Sequence, residues 1–86
     1  MNAPDWLIQR GGDLKLASDE RTWYFLLGGQ PQYSLMAVPV AGRYGCVIRQ
    51  TINGRRLDGP SVYATPDDAI RGGLHDLRKA LGWEGA

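Results

Sequence analysis

Residues 33–52, YSLMAVPVAGRYGCVIRQTI, decide the fold, because they hold two runs of strand-forming residues separated by a tight turn. Valine and tyrosine occur in both runs and isoleucine in the second, as is typical of β-strands. The pair Ala41-Gly42 separates the runs, and a two-residue turn there sets Val40 opposite Arg43. Side chains alternate across a sheet, so this register assigns each residue of the hairpin to one of two faces.

A second tight turn is predicted at Asn53-Gly54, the dipeptide most favoured in two-residue type I′ turns. This turn sets Arg49 opposite Asp58 on a further strand. Upstream, the apolar run at residues 22–27 predicts one more strand.

The C-terminal part of the chain predicts a helix over residues 66–81. Thr65 is suited to the N-cap position, and Pro66 to the first helical position. Apolar residues at spacings of 4, 3 and 4 form one stripe along this helix, namely Ile70, Leu74, Leu77 and Leu81. Gly73 lies beside the stripe, which indicates that the helix approaches the sheet closely there.

These elements predict a single α+β domain over residues 1–86, with an antiparallel sheet of three to five strands and one C-terminal helix packed on one face. The sheet is expected over residues 22–64. Residues 1–20 form a candidate N-terminal hairpin, with residues 6–9 and 14–16 as its strands. The sequence leaves open whether this segment covers the second face of the sheet.

The predicted register divides the sheet into two faces of different character. One face is apolar and is expected to lie under the helix: Tyr33, Leu35, Ala37, Tyr44, Cys46, Ile48, Ile52 and Leu57. The other face has an apolar centre of Met36, Val38 and Val47 and a polar rim of Arg43, Arg49, Thr51 and Arg56. Because one helix covers only one side of a sheet, we expect the N-terminal segment, a second copy or a partner to cover the other.

Acidic residues are absent from residues 21–57, which carry five arginines. The formal charge is −2 over residues 1–20, +5 over residues 21–57 and −2 over residues 58–86, although the whole chain carries only +1. Clustered arginines attract anionic partners even when a protein is nearly neutral. The charge pattern therefore indicates that the arginine-bearing face is a binding surface.

The sequence predicts a small non-enzymatic binding module, with nucleic acid (DNA or RNA) as the first candidate partner. Arg43, Arg49 and Arg56 are the candidate nucleic-acid contacts, since a guanidinium group presents a planar fork of donors to phosphates and base edges. Exposure of Tyr24 or Trp23 beside these arginines would strengthen this interpretation. The simpler alternative is solvated surface charge, with Arg49 engaged in an ordinary surface ion pair.

A protein-interaction module is the second candidate. Met36, Val38 and Val47 are then the centre of an interface, either between two copies of the chain in a homodimer or with another protein, and the arginines form its rim. Salt-sensitive nucleic-acid binding would favour the first hypothesis, and a doubled mass in solution would favour the homodimer.

Residues 43–81 resemble the plant APETALA-type and integrase arm-type DNA-binding domains. The segment holds an arginine-bearing strand (YGCVIRQ), an NG turn, a second arginine-bearing stretch (GRRLDG), and SVYATPDDAI leading into a helix. In that family a three-stranded antiparallel sheet packs on the helix, and its outer face reads the major groove of DNA. The resemblance implies DNA contacts by Arg43, Arg49 and Arg56. The family's Gly-Phe-x-Thr entry to the helix is matched here in its aromatic residue and its threonine only.

Catalytic and metal chemistry is not predicted. Cys46 is expected to face inward as a small buried hydrophobe, and His75 lies on a helix flank. One cysteine and one histidine cannot build an ordinary structural zinc site. We expect no cofactor, and no apolar run approaches the roughly 20 residues of a membrane helix, so no membrane partner is expected either. With one cysteine, a reducing cytoplasm is the expected location.

Overall fold

The computed structural model describes residues 2–83, which form one antiparallel sheet and two helices. The elements in chain order are α1 (Asp5–Ile8), β1 (Gly12–Leu16), β2 (Thr22–Leu27), β3 (Gln30–Val40), β4 (Arg43–Gln50) and α2 (Pro66–Ala80). The four strands lie side by side in the order β1-β2-β3-β4, each antiparallel to the next. The predicted α+β class, with an antiparallel sheet of three to five strands and a C-terminal helix, is confirmed.

The central hairpin of β3 and β4 has the register predicted from its turn. Val40 lies opposite Arg43, and Met36 lies opposite Val47. Both turn residues have positive φ angles, 48° at Ala41 and 80° at Gly42, as a type I′ turn requires. This hairpin makes the most extensive strand pairing of the sheet because β3 and β4 are its longest strands.

The predicted two-residue turn at Asn53-Gly54 is wrong. The backbone N–H of Gln50 donates to the carbonyl of Arg55 at 2.9 Å, so four residues, not two, form the loop. The carboxamide of Asn53 accepts the N–H of Arg55 at 2.9 Å, a local bond that competes with the hairpin turn.

The longer loop shifts the pairing of the following segment by two residues. Arg49 therefore lies opposite Arg56 and not opposite Asp58. A shift of two keeps each side chain on its predicted face, so Arg56 still lies beside Arg49. Ile52, predicted to lie under the helix, instead lies in the loop with 91% of its surface exposed, so that assignment is wrong.

The predicted N-terminal hairpin is also wrong. Residues 5–8 form α1, in which the carbonyl of Pro4 accepts the N–H groups of Leu7 and Ile8 at 3.0 and 3.1 Å. The helix is favoured over the predicted hairpin because it buries the Leu7 side chain fully in the core. β1 is left to pair with β2.

The helix α2 packs on one face of the sheet, as predicted. Its N-cap is Thr65, whose Oγ1 accepts the N–H of Asp68 at 3.1 Å. Its C-terminus closes with Gly82 at a φ of 72° and with an N–H···O bond from Trp83 to Arg78 of 3.0 Å. One core joins both helices to the same side of the sheet: Leu7, Leu14, Phe25, Leu35, Cys46, Ile48, Ala69, Ile70, Leu74 and Leu77.

Neither helix in the described part of the chain is long and apolar enough to cross a membrane.

Candidate functional site

The side of the sheet opposite the helices is called here the open face. Its members follow from the strand register: Asp13, Lys15, Thr22, Tyr24, Leu26, Ser34, Met36, Val38, Val40, Arg43, Val47 and Arg49, with Arg56 beside β4. Within residues 2–83, no helix or strand lies over this face, because α1 and α2 both contribute to the core on the other side. The N-terminal segment therefore does not cover the second face.

Five side chains form a row across the open face, called here the cross-strand row. Pairing runs from Lys15 to Tyr24, from Tyr24 to Ser34, from Ser34 to Arg49, and from Arg49 to Arg56. Neighbouring strands are about 4.8 Å apart, so the four strands from Lys15 to Arg49 span roughly 14 Å. The row places an aromatic ring between cations on either side.

Two shallow grooves flank Tyr24 on the open face. The first, about 410 Å³, is lined by Lys15 and Leu26 among others, and the second, about 440 Å³, by Ser34 and Arg49 among others. Tyr24 and Pro31 line both grooves, so the tyrosine stands where the two meet. Tyr24 itself is half-buried, which leaves part of its side chain accessible to a ligand.

Arg56 is held by Asp58 in a two-pronged ion pair. Its Nε lies 3.0 Å from one carboxylate oxygen and its Nη2 lies 2.7 Å from the other. The hydrogen bonds from Arg56 hold the pKa of Asp58 below its ordinary value, against the opposing effect of burial. Asp58 also accepts the backbone N–H of Ile48 at 3.3 Å, so the carboxylate caps the edge of β4.

This ion pair distinguishes Arg56 from Arg43 and Arg49, the other two arginines predicted to contact nucleic acid. Arg56 already has an anionic partner, whereas Arg43 and Arg49 are exposed and make no ion pair within residues 2–83. The two lie six positions apart along β4, which places them about 20 Å apart at opposite ends of the strand. The structure therefore brings Arg49 and Arg56 together and leaves Arg43 at the far end.

The apolar centre predicted for this face is present. Met36, Val38 and Val47 lie on the open face and are each half-buried. Val40 extends the same apolar strip towards the turn, with 42% of its surface exposed. A ligand of this face therefore meets apolar surface between the two arginines.

Cys46 lies on the helix side, beneath Gly73 of α2, and not on the open face. Burial, with a smaller effect from the charge of Asp58, raises the pKa of its thiol to about 12. The thiol is therefore protonated at neutral pH and is a poor nucleophile. In the described part of the chain, no three histidine, cysteine or acidic side chains are grouped so that they could hold a metal ion.

The sequence does not place Lys15 or Tyr24 in the cross-strand row. The predicted N-terminal hairpin pairs residues 14–16 with residues 6–9, which leaves β1 unavailable to align with β2. The alignment of β2 with β3 also contains a β-bulge between Phe25 and Leu26, which no turn motif indicates. The aromatic residues within 22–27 are the available signal, because alternation puts Tyr24 on the face opposite the buried Phe25.

Comparisons with protein-family models, with curated proteins and with solved structures find no significant match to this chain.

Proposed function

We propose that this domain binds nucleic acid through its open face. The observation that carries the proposal is the cross-strand row, in which Tyr24 lies between Lys15 and Arg49 on a face that no described element covers. Cations that contact phosphates, together with an aromatic ring that stacks on bases, are the two components of sequence-tolerant nucleic-acid binding.

The charges of the open face suit a polyanion. Lys15, Arg43 and Arg49 are exposed cations on three different parts of this face. The carboxylate of Asp58, which would oppose them, is compensated by Arg56. The remaining acid on the strands of this face is Asp13, which accepts the adjacent N–H of Leu14 at the sheet edge. Positive potential therefore prevails along the row and along β4.

The resemblance to APETALA-type and integrase arm-type domains supports the same proposal from the sequence. In those domains the sheet face away from the helix meets DNA, and the open face here is also the one away from α2. Arg49 and Arg43 are the arginines available for such contacts, while Arg56 contributes only if Asp58 releases it.

A homodimer is the second candidate, and the apolar strip favours it. Met36, Val38, Val40 and Val47 give the open face a non-polar middle, and two copies could bury these strips against each other. The measured mass separates the candidates, since one chain weighs 9.5 kDa and a dimer twice that. We expect the mass of the monomer by light scattering in the absence of nucleic acid.

The test of nucleic-acid binding is fluorescence anisotropy with labelled RNA and DNA, both single-stranded and duplex, over a range of salt concentrations. We expect binding that weakens as salt rises, because each phosphate contact releases counterions. In Arg49→Gln the affinity should fall at low salt, and the slope of log K against log[salt] should decrease in magnitude by about 0.7–0.9.

Arg71→Gln is the matched control. It removes the same charge from an exposed arginine of α2, on the other side of the sheet, where Arg71 pairs with Asp68 at 3.2 Å. Binding by this variant should equal that of the unmodified protein. Equal losses in the two variants would show non-specific attraction to charge, and no binding to any of the probes at low salt would overturn the proposal.

A further inference from the structure

We propose that the ligand of the open face is single-stranded nucleic acid, with an unpaired base stacked on Tyr24. This inference rests on the proposed function and specifies the form of nucleic acid that the same surface takes. It is carried by the position of Tyr24 between two grooves, by the width of the sheet and by the arrangement of the cations around the ring.

Tyr24 is placed as a stacking platform rather than as a core residue. Its neighbours along β2, Trp23 and Phe25, belong to the other face, where Phe25 is fully buried. Grooves of about 410 and 440 Å³ lie on either side of Tyr24, so a planar ligand has access to the ring from both. Stacking on a tyrosine needs the flat surface of a base, and that surface is available only where the base is unpaired.

The width of the sheet argues against insertion into a duplex. The major groove of B-DNA is about 12 Å wide and admits a helix or a two-stranded ribbon. The cross-strand row is about 14 Å from β1 to β4 before side chains are added. The cations on either side of Tyr24, Lys15 and Arg49, lie on the outer strands β1 and β4. A three-stranded sheet, about 10 Å wide, fits such a groove, but these two cations could not enter it together with the ring between them.

The same spacing suits a flexible single strand. Lys15 lies one strand away from Tyr24, about 5 Å, and Arg49 lies two strands away, about 10 Å. Phosphates on either side of a stacked nucleotide can therefore reach a cation each. Ser34 lines the groove beside Arg49 and offers a hydroxyl to base edges.

The experiment compares three labelled probes at low salt: a 12-nucleotide oligo(U), the matching oligo(dT) and a 12-base-pair DNA duplex of mixed sequence. We expect both single strands to bind more tightly than the duplex. A preference for oligo(U) over oligo(dT), or the reverse, identifies RNA or DNA as the natural source. Tighter binding of the duplex would overturn the inference and leave the proposed function standing, whereas binding of none of the probes would overturn both.

Tyr24→Leu tests the stacking contact. Loss of one base–aromatic stack should weaken single-strand binding roughly 5- to 150-fold, with a smaller effect on binding of the duplex. Tyr24→Phe keeps the ring and should retain most of the single-strand affinity that Tyr24→Leu loses. Unchanged affinity of Tyr24→Leu would contradict the inference.

A measurement on the unmodified protein keeps the test valid even if Tyr24→Leu fails to fold. Irradiation of the complex with a 5-iodouracil-substituted single strand should attach the oligonucleotide to Tyr24, as located by fragmentation of the peptide of residues 22–43. Attachment to Trp6 or Trp83 instead would overturn the inference, because both rings pack on the helix side of the sheet.

Discussion

Gly73 is the residue at which the sequence and the packing agree most closely. Its position beside the apolar stripe predicts close approach of α2 to the sheet, and the structure confirms this prediction. A Cβ atom at Gly73 would clash with the Sγ of Cys46 and would lie 3.0 Å from its Cβ. Glycine in a helix is less favourable than alanine by roughly 1 kcal/mol. At this position the absence of a side chain lets α2 pack directly against β4.

Gly73→Ala should therefore destabilise the protein, although alanine is the better helix former. Overpacking of a core costs about 1–3 kcal/mol, which exceeds the gain of roughly 1 kcal/mol in helix propensity. Urea unfolding followed by circular dichroism measures the difference.

Gly72→Ala is the matched control on the next residue of α2. A Cβ atom there would meet the end of the Tyr63 ring, which is only half-buried and can move aside. This variant should lose less stability than Gly73→Ala or gain some. Greater destabilisation at Gly72 than at Gly73 would contradict the account of the packing.

At the scale of elements, the outer edge of β4 is covered by a segment that is not a regular strand. Backbone bridges join Arg49 to Arg56 and Tyr44 to Tyr63 at its two ends. Between them the carboxylate of Asp58 accepts the N–H of Ile48 at 3.3 Å, where another strand would supply a carbonyl. Asp58 and its partner Arg56 therefore close an edge that would otherwise be open to pairing with another chain.

The pH dependence of Asp58→Asn tests this role. The pKa of Asp58 in the folded protein lies below the ordinary value of 3.8, chiefly because Arg56 donates hydrogen bonds to the carboxylate. The stabilisation is complete above pH 3.8 and is lost as the pH falls through the lowered pKa. Asp58→Asn should thus be less stable than the unmodified protein at pH 7, and this difference should shrink as the pH falls below 3.8.

Urea unfolding at several pH values provides the measurement. Arg56→Gln should reproduce part of the loss at pH 7, whereas Arg55→Gln, which removes a neighbouring exposed charge, should not. The losses in a double variant of Asp58 and Arg56 should be less than additive, because both changes break the same ion pair. A difference between the proteins that stays constant below pH 3.8 would contradict the role of the carboxylate.

The two predicted tight turns show how far local sequence determines this fold. Ala41-Gly42 forms the type I′ turn although alanine is a poor residue at positive φ, because the long strands on either side align only with that turn. Asn53-Gly54 is the better turn sequence, but few residues beyond it pair with β4, and a side-chain bond of Asn53 is enough to select a longer loop. Cross-strand pairing over many residues therefore outweighs the preference of a dipeptide.

At the scale of the whole molecule, the sequence predicted the two faces of the central hairpin but not what lies beside it. The positions of Met36, Val47 and Arg49 follow from the register of one turn. Lys15 and Tyr24 lie on the same face only because residues 5–8 form α1, which buries Leu7 in the core and leaves β1 to pair with β2. Residues 5–8 form a helix and not a strand because Leu7 is buried against residues distant in the chain, and local sequence patterns do not encode such contacts.

The remaining edge of the sheet, at β1, is protected from pairing with another chain by residues of β1 itself. The carboxylate of Asp13 accepts the N–H of Leu14 at 2.8 Å, and the charged Lys15 follows. Charged residues on an edge strand discourage pairing with another chain. With the β4 edge covered, the β1 edge protected and one face packed against the helices, the open face is the surface on which we expect a ligand.

The most direct test of that claim is an NMR titration of the ¹⁵N-labelled protein with the single-stranded 12-nucleotide oligo(U) at low salt. We predict that the largest shift changes fall on amides of the open face, centred on Lys15, Tyr24, Ser34 and Arg49, with little change along α2. Shift changes concentrated on α2 would show that nucleic acid binds the helix side of the sheet, and would contradict the account.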